Sequence, residues 1–165
     1  MKSIKLIQLL FLLCLGILQV TPLLAQNVEY SHPHHHFSFE ASPHWVQELH
    51  DYNGKVFEVT SPNNNMQILM SFVPDCRNAK KHMKLLSGKK GLIYNQKPYD
   101  TVLNQRKAVI MQGTCLKEKE PFKRVVIGIP GSDGLYLMEI CCPVECYMNH
   151  RSRLNSILGS LRVEV

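Results

Sequence analysis

The chain has 165 residues, of which 45% are hydrophobic and 19% charged, and 19 Lys and Arg against 13 Asp and Glu give a formal charge of +6. That length suits a single domain, and the composition excludes an intrinsically disordered or collagen-like chain. It names no reaction.

Residues 1–25 read as a secretory signal peptide. Lys2 and Lys5 make a basic start, Leu6 to Val20 is an apolar run, and Ala25 is a small residue at the expected cleavage point before Gln26. The run is short for a membrane span. Cys14 follows Leu13, where a lipidation signal wants a small residue, so no lipid anchor is expected. Without Lys2 and Lys5, 17 basic side chains face 13 acidic ones. So mild an excess gives no support for nucleic acid as a partner. A secreted or periplasmic location follows.

Residues 26–36 read as an irregular, flexible arm holding His32, His34, His35 and His36. Phe37 to Ala41 alternates as a half-buried strand that Ser42-Pro43 ends, and Trp45 is expected to plug one end of the core. Asn53-Gly54 is a hairpin turn. Lys55 to Thr60 and Met66 to Val73 are strands, with Phe57 and Val59 on one face of the first and Met66, Ile68, Met70 and Phe72 on one face of the second. A helix is predicted over 75–88, capped by Asp75 and stopped by Ser87-Gly88, with Cys76, Ala79, Met83 and Leu86 facing inward. Lys80, Lys81, Lys84, Lys89 and Lys90 crowd its outer side and exit, which suits the negative end of the helix dipole. A meander follows: Tyr99–Asn104, Arg106–Leu116, Phe122–Ile129 and Leu135–Cys142. Apolar residues on both faces of the last strands imply a sheet covered on both sides. Pro143 opens a second helix over 144–160, with Val144, Tyr147, Leu154, Leu158 and Leu161 as its apolar stripe, and Arg162 to Val165 can add a short strand.

Four histidines within five positions are candidate transition-metal ligands, since neutral imidazole binds such ions, and metal handling is therefore the alternative function. No resident cofactor is expected otherwise. Cys76, Cys115, Cys141, Cys142 and Cys146 remain after cleavage, an odd number, and an oxidising compartment permits disulfides. Cys142 and Cys146, straddling Pro143, are the first candidate pair. Cys146 and His150 are spaced to share a helix face, but no third group is at hand to orient the histidine. Cys141-Cys142 lacks the Cys-x-x-Cys spacing of thiol oxidoreductases. Gly131 to Gly134 is a hairpin turn rather than a phosphate loop. The residues thus assemble no enzyme. The lysine cluster is a possible patch for an anionic partner.

The aromatic strand leading into Pro43-His44-Trp45, the early helix, the strand meander and the final helix ending Ile157-Leu158-Gly159-Ser160-Leu161-Arg162-Val163 resemble the PsbP-like family. The resemblance spans about residues 37–163. It implies an α/β (α+β) domain over 37–165, an antiparallel sheet sandwiched by helices. That fold is shared with a small Ran-binding nuclear transport factor and with many exported bacterial proteins of unknown role. Members serve as accessory subunits, chaperone-like adaptors or lipoproteins, so the implied function is an exported, non-catalytic binding or accessory protein acting through another envelope or secreted protein.

Overall fold

The computed structural model describes residues 26–63, 65–87, 92–94, 96–117 and 120–164. The expected signal peptide, Gly88, Lys89 and Lys90 lie outside the described residues.

Eleven strands and two helices run in the order β1 (Val28–Ser31), β2 (Phe37–Ala41), β3 (Val46–Tyr52), β4 (Lys55–Thr60), β5 (Gln67–Pro74), α1 (Ala79–Ser87), β6 (Leu92–Tyr94), β7 (Tyr99–Leu103), β8 (Arg106–Lys117), β9 (Glu120–Pro130), β10 (Gly134–Pro143), α2 (Val144–Ser160) and β11 (Arg162–Val163) among the described residues. They build two antiparallel sheets rather than one. The larger has the order β3-β4-β5-β10-β9-β8-β6, with β7 also on β8, and the smaller has the order β1-β2-β11.

Register explains the layering. Phe57, Met70, Met138, Ile127 and Ile110 are successive partners across β4, β5, β10, β9 and β8. Side chains alternate along a strand, so this row shares one face with Val59, Ile68, Ile140 and Val125. That face is closed by Phe37 and Phe39 of β2 and by Leu154, Ile157 and Leu161 from α2 and its exit. Trp45 lies in the same core, as its sequence context predicts. Tyr30 stacks on Phe39 with ring centres 5.9 Å apart, and its hydroxyl donates to the Ser42 carbonyl at 2.7 Å. On the opposite face Val109, Met111, Val126, Leu135 and Leu137 pack under Ala79 and Met83 of α1.

Three expectations need correction. The segment 26–36 is not irregular throughout: Val28–Ser31 pairs with Phe37–Ala41, because burial of Tyr30 anchors it. Asp75 does not cap the first helix. It has φ 58° and donates its backbone N–H to the Asp133 carbonyl at 3.0 Å. The helix starts at Ala79, and Asn78 caps it by accepting from the Lys81 N–H at 2.9 Å. In the second helix Val144 is exposed, and Ile157 takes the buried place in the stripe.

The turn between β7 and β8 is tied to the end of α2. Asn104 and Gln105 have φ 48° and 66°, the left-handed pair of a tight hairpin. The Asn104 amide donates to the Leu158 and Leu161 carbonyls at 3.2 and 2.6 Å, which supplies partners to the orphan carbonyls of the last helical turn. The Ser160 hydroxyl accepts from the Glu40 N–H at 2.8 Å and so joins the same helix end to β2.

Candidate binding surfaces

The four histidines do separate work. His35 packs beside Phe72 and Tyr136, with ring centres 5.1 and 6.3 Å away, and beside His32 at 4.8 Å. The His32 Nδ1 accepts from the His34 N–H at 3.1 Å, which occupies a lone pair a metal would need. His36 Nδ1 lies 3.4 Å from a Glu164 carboxylate oxygen. Burial pushes the pKa values of His32 and His35 down, and the neighbouring imidazoles push the same way. Among the described residues no group of three or more His, Cys, Asp or Glu is placed to hold a metal ion. Of the four expected ligands, the His32 ring lies 4.8 Å from His35 and 6.0 Å from His34, whereas His36 faces Glu164.

Around this segment lies a cleft of about 500 Å³, lined by His32, His35, His36, Arg106, Arg162 and Glu164 among others. It joins the small sheet to the turn that Asn104 fixes. Its two guanidinium groups share it with Glu29 and Glu164, so its charge is balanced.

The five cysteines among the described residues are all free. Strand alternation turns Cys142 into the main core, whereas Cys146 sits half-buried in the first turn of α2; the expected Cys142–Cys146 disulfide is absent. Burial, with the neighbouring Cys146 thiol, pushes the Cys142 pKa up to about 11. Cys141 is pushed up to about 12 by burial and then by the Glu139 carboxylate. Neither is a ready nucleophile at neutral pH, since the thiolate is the reactive form. On the same face as Cys141, Arg124 pairs with Glu139.

The lysines are placed differently from the sequence expectation. With α1 starting at Ala79, Lys80 and Lys81 fall in its first turn, at the positive end of the helix dipole. Lys80 Nζ bonds the Asp100 carboxylate on β7 at 2.5 Å. Lys81 and Lys84 are exposed. Beside them is a second cleft, of about 580 Å³, between the start of α1 and the β7–β8 hairpin. Sequence reasoning missed Arg77 and Lys107 on its rim, because only the fold brings those segments together.

It also missed β3. This seven-residue strand is an edge of the large sheet, and Val46, Leu49 and Tyr52 on it are 58%, 53% and 53% exposed. His50 sits on the same strand between two carboxylates, 3.3 Å from Glu58 and 4.0 Å from Glu48. The Asn53-Gly54 turn was the available signal; Val46, Leu49 and Tyr52 fall three residues apart, outside the period-two pattern, so the strand's bounds were not legible.

Among the described residues no helix is long and apolar enough to cross a membrane. No protein-family model matches the chain, and no curated protein sequence does. Solved structures do. A cyanobacterial PsbP, CyanoP from Synechocystis sp. PCC 6803, superposes with a TM-score of 0.63 at 9% identity, over 87% of this chain and 95% of its own. LpqN of Mycobacterium tuberculosis, described as involved in cell envelope biogenesis, gives 0.56 at 12% identity over 85% and 91%. A Bacteroides thetaiotaomicron VPI-5482 protein gives 0.59 at 10% identity over 85% of this chain and 49% of its own, so this chain spans about half of that protein. Identities this low carry the fold and nothing finer. With its two antiparallel sheets, its two helices and these structural neighbours, the chain has the PsbP-like α+β fold.

Proposed function

We propose that this is an exported, non-catalytic accessory protein that acts by binding a protein partner in the periplasm or beyond. The observation that carries the reading is β3. An edge strand presents unpaired backbone N–H and C=O groups, and chains that act alone blunt such edges. Here the edge bulges between Leu49 and Tyr52 and carries Glu48 and Asp51, yet it is seven residues long and still displays Val46, Leu49 and Tyr52. A partner strand laid along it would gain main-chain hydrogen bonds and apolar contacts together.

Export is supported by the signal-peptide pattern of residues 1–25 and by fold likeness to LpqN, described as involved in cell envelope biogenesis. The non-catalytic reading is supported by the thiols. Cys141 and Cys142 have raised pKa values, which keeps both as unreactive thiols at neutral pH.

The test is affinity capture from the envelope fraction of the cells that make the protein. Wild type should capture one recurring protein, and Leu49→Lys should lose it while keeping the wild-type melting temperature. Capture unchanged by Leu49→Lys would overturn the role of β3. N-terminal sequencing of the captured chain should read from about Gln26; Met1 retained in a soluble cytoplasmic pool would overturn export.

A further inference from the structure

The cleft at the start of α1 has an apolar floor and a cationic rim. Ala79, Ala108 and Val109 are buried beneath it, and Val102 is 65% exposed beside them. Arg77, Lys80 and Lys107 stand around it, contributed by the loop before α1, by α1 and by β8. Asp100 is the one acid in the lining, and Lys80 already bonds it. Lys81 and Lys84 extend the positive charge along the exposed side of the helix. Among the described residues the side chains of Arg77, Lys81, Lys84 and Lys107 have no ion-pair partner.

Helix stability does not account for this placement. Cations in a first turn oppose the dipole by ~0.3–1 kcal/mol each. α1 has no acidic residue in that turn to offset them. The charge is left for something outside the fold.

We propose that this cleft docks an acidic peptide segment of the protein partner. One apolar side chain of that segment rests on Val102 and Val109, and its carboxylates meet Arg77, Lys80 and Lys107. The inference rests on the accessory reading above and extends it from β3 to a second contact. Charge complementarity selects an acidic occupant. The hollow selects a peptide over a membrane surface, because a flat anionic surface would meet the lysines without filling an apolar floor.

The experiment places the photo-crosslinker p-benzoylphenylalanine at Val102 or at Leu49 in the full chain, in the cells that make it, and identifies the crosslinked peptides by mass spectrometry. Position 102 should yield a peptide richer in Asp and Glu than in Lys and Arg, from the same protein that crosslinks at position 49. The K80E/K107E variant should cut the yield at 102 by about tenfold or more, the scale of lost charge pairing at an interface, and leave the yield at 49 unchanged. An unchanged yield at 49 also shows that the variant is folded. Crosslinks at 49 alone would remove the cleft and keep the partner. Crosslinks at neither position would overturn both. Lipid adducts at 102, with binding to phosphatidylglycerol vesicles lost in K80E/K107E, would make the cleft a membrane contact and overturn the peptide.

Discussion

One face of the large sheet is closed by α2, β2 and β11 over a continuous core in which Phe37, Phe39 and Phe57 meet edge to face at 5.5 and 6.0 Å. The other face carries α1, nine residues long, over a smaller cluster around Met83 and Met111. The first arrangement buries large side chains from both layers and leaves little to rearrange, as close-packed interiors do. The second leaves the start of the helix and the β7–β8 hairpin bordering an open cleft. Packing and open surface are therefore divided between the faces: the closed side holds the larger core, and the thinly covered side and the β3 edge leave side chains exposed.

The largest expected effect separates the two faces directly. Phe57 is fully buried on the closed side, so Phe57→Ala should cost ~3–5 kcal/mol in urea unfolding. Met83 of α1 is as fully buried against the sheet, but its surroundings can collapse, so Met83→Ala should cost ~2–3 kcal/mol, at the low end of its class. Equal losses would erase the distinction.

Two glycines sharpen it. A Cβ on Gly134 would lie 2.5 Å from the Val73 carbonyl oxygen and 2.8 Å from the Phe72 ring, and the backbone atom cannot yield. Gly134→Ala should therefore destabilise by ~1–3 kcal/mol. A Cβ on Gly128 would meet the Met83 sulfur at 3.1 Å and the Ala79 Cβ at 3.3 Å. The flexible thioether can move aside and the short helix can lift slightly, so Gly128→Ala should cost under ~1 kcal/mol. A larger loss at Gly128 than at Gly134 would mean that α1 is the rigid element.

The thiols give a pH prediction. Cys141 and Cys142 hold their protons up to about 12 and about 11 when folded, against an ordinary value of 9.0. The unfolded chain loses these protons first, so stability should fall as pH rises from 9 toward 11–12. Iodoacetamide at neutral pH should modify Cys141 and Cys142 slowly in the native protein and at ordinary thiol rates after unfolding. Rapid native labelling of Cys141 would contradict its burial.

The smallest effect concerns the histidine segment. His32 and His35 have lowered pKa values, so the unfolded chain binds their protons first as pH falls through the ordinary 6.5. Stability should then decline on acidification. His35→Phe should flatten that dependence while keeping the ring beside Phe72, as melting curves across this range would read. A transition metal added to the wild type should bind no more tightly than it does to a loose histidine tract, and sub-micromolar affinity would revive the metal reading.

Much of this architecture is written in local pattern. The long strands β8, β9 and β10, the second helix and the two-sided burial at Leu135 to Ile140 follow from alternation and helical spacing, which neighbouring residues carry. The start of α1 does not. Pro74-Asp75 has the composition of a helix cap, but a hydrogen bond to Asp133, far along the chain, holds Asp75 in a left-handed conformation. β1 was equally hidden, since its order comes from Tyr30 meeting Phe39 and the Ser42 carbonyl. The lysines were visible as a cluster. The position of Lys80 and Lys81 at the positive end of the dipole, and the meeting of Lys80 with Arg77 and Lys107 around one hollow, needed the helix boundary and the hairpin that only tertiary contacts set.

The central claim is that a partner protein lies along β3. It is tested most directly by amide hydrogen exchange on the protein alone and in the complex recovered from its envelope. The account predicts slowed exchange across Val46–Tyr52 in the complex, with the alternate, outward-pointing amides protected most. A stable complex in which those amides exchange as fast as in the free protein would contradict it.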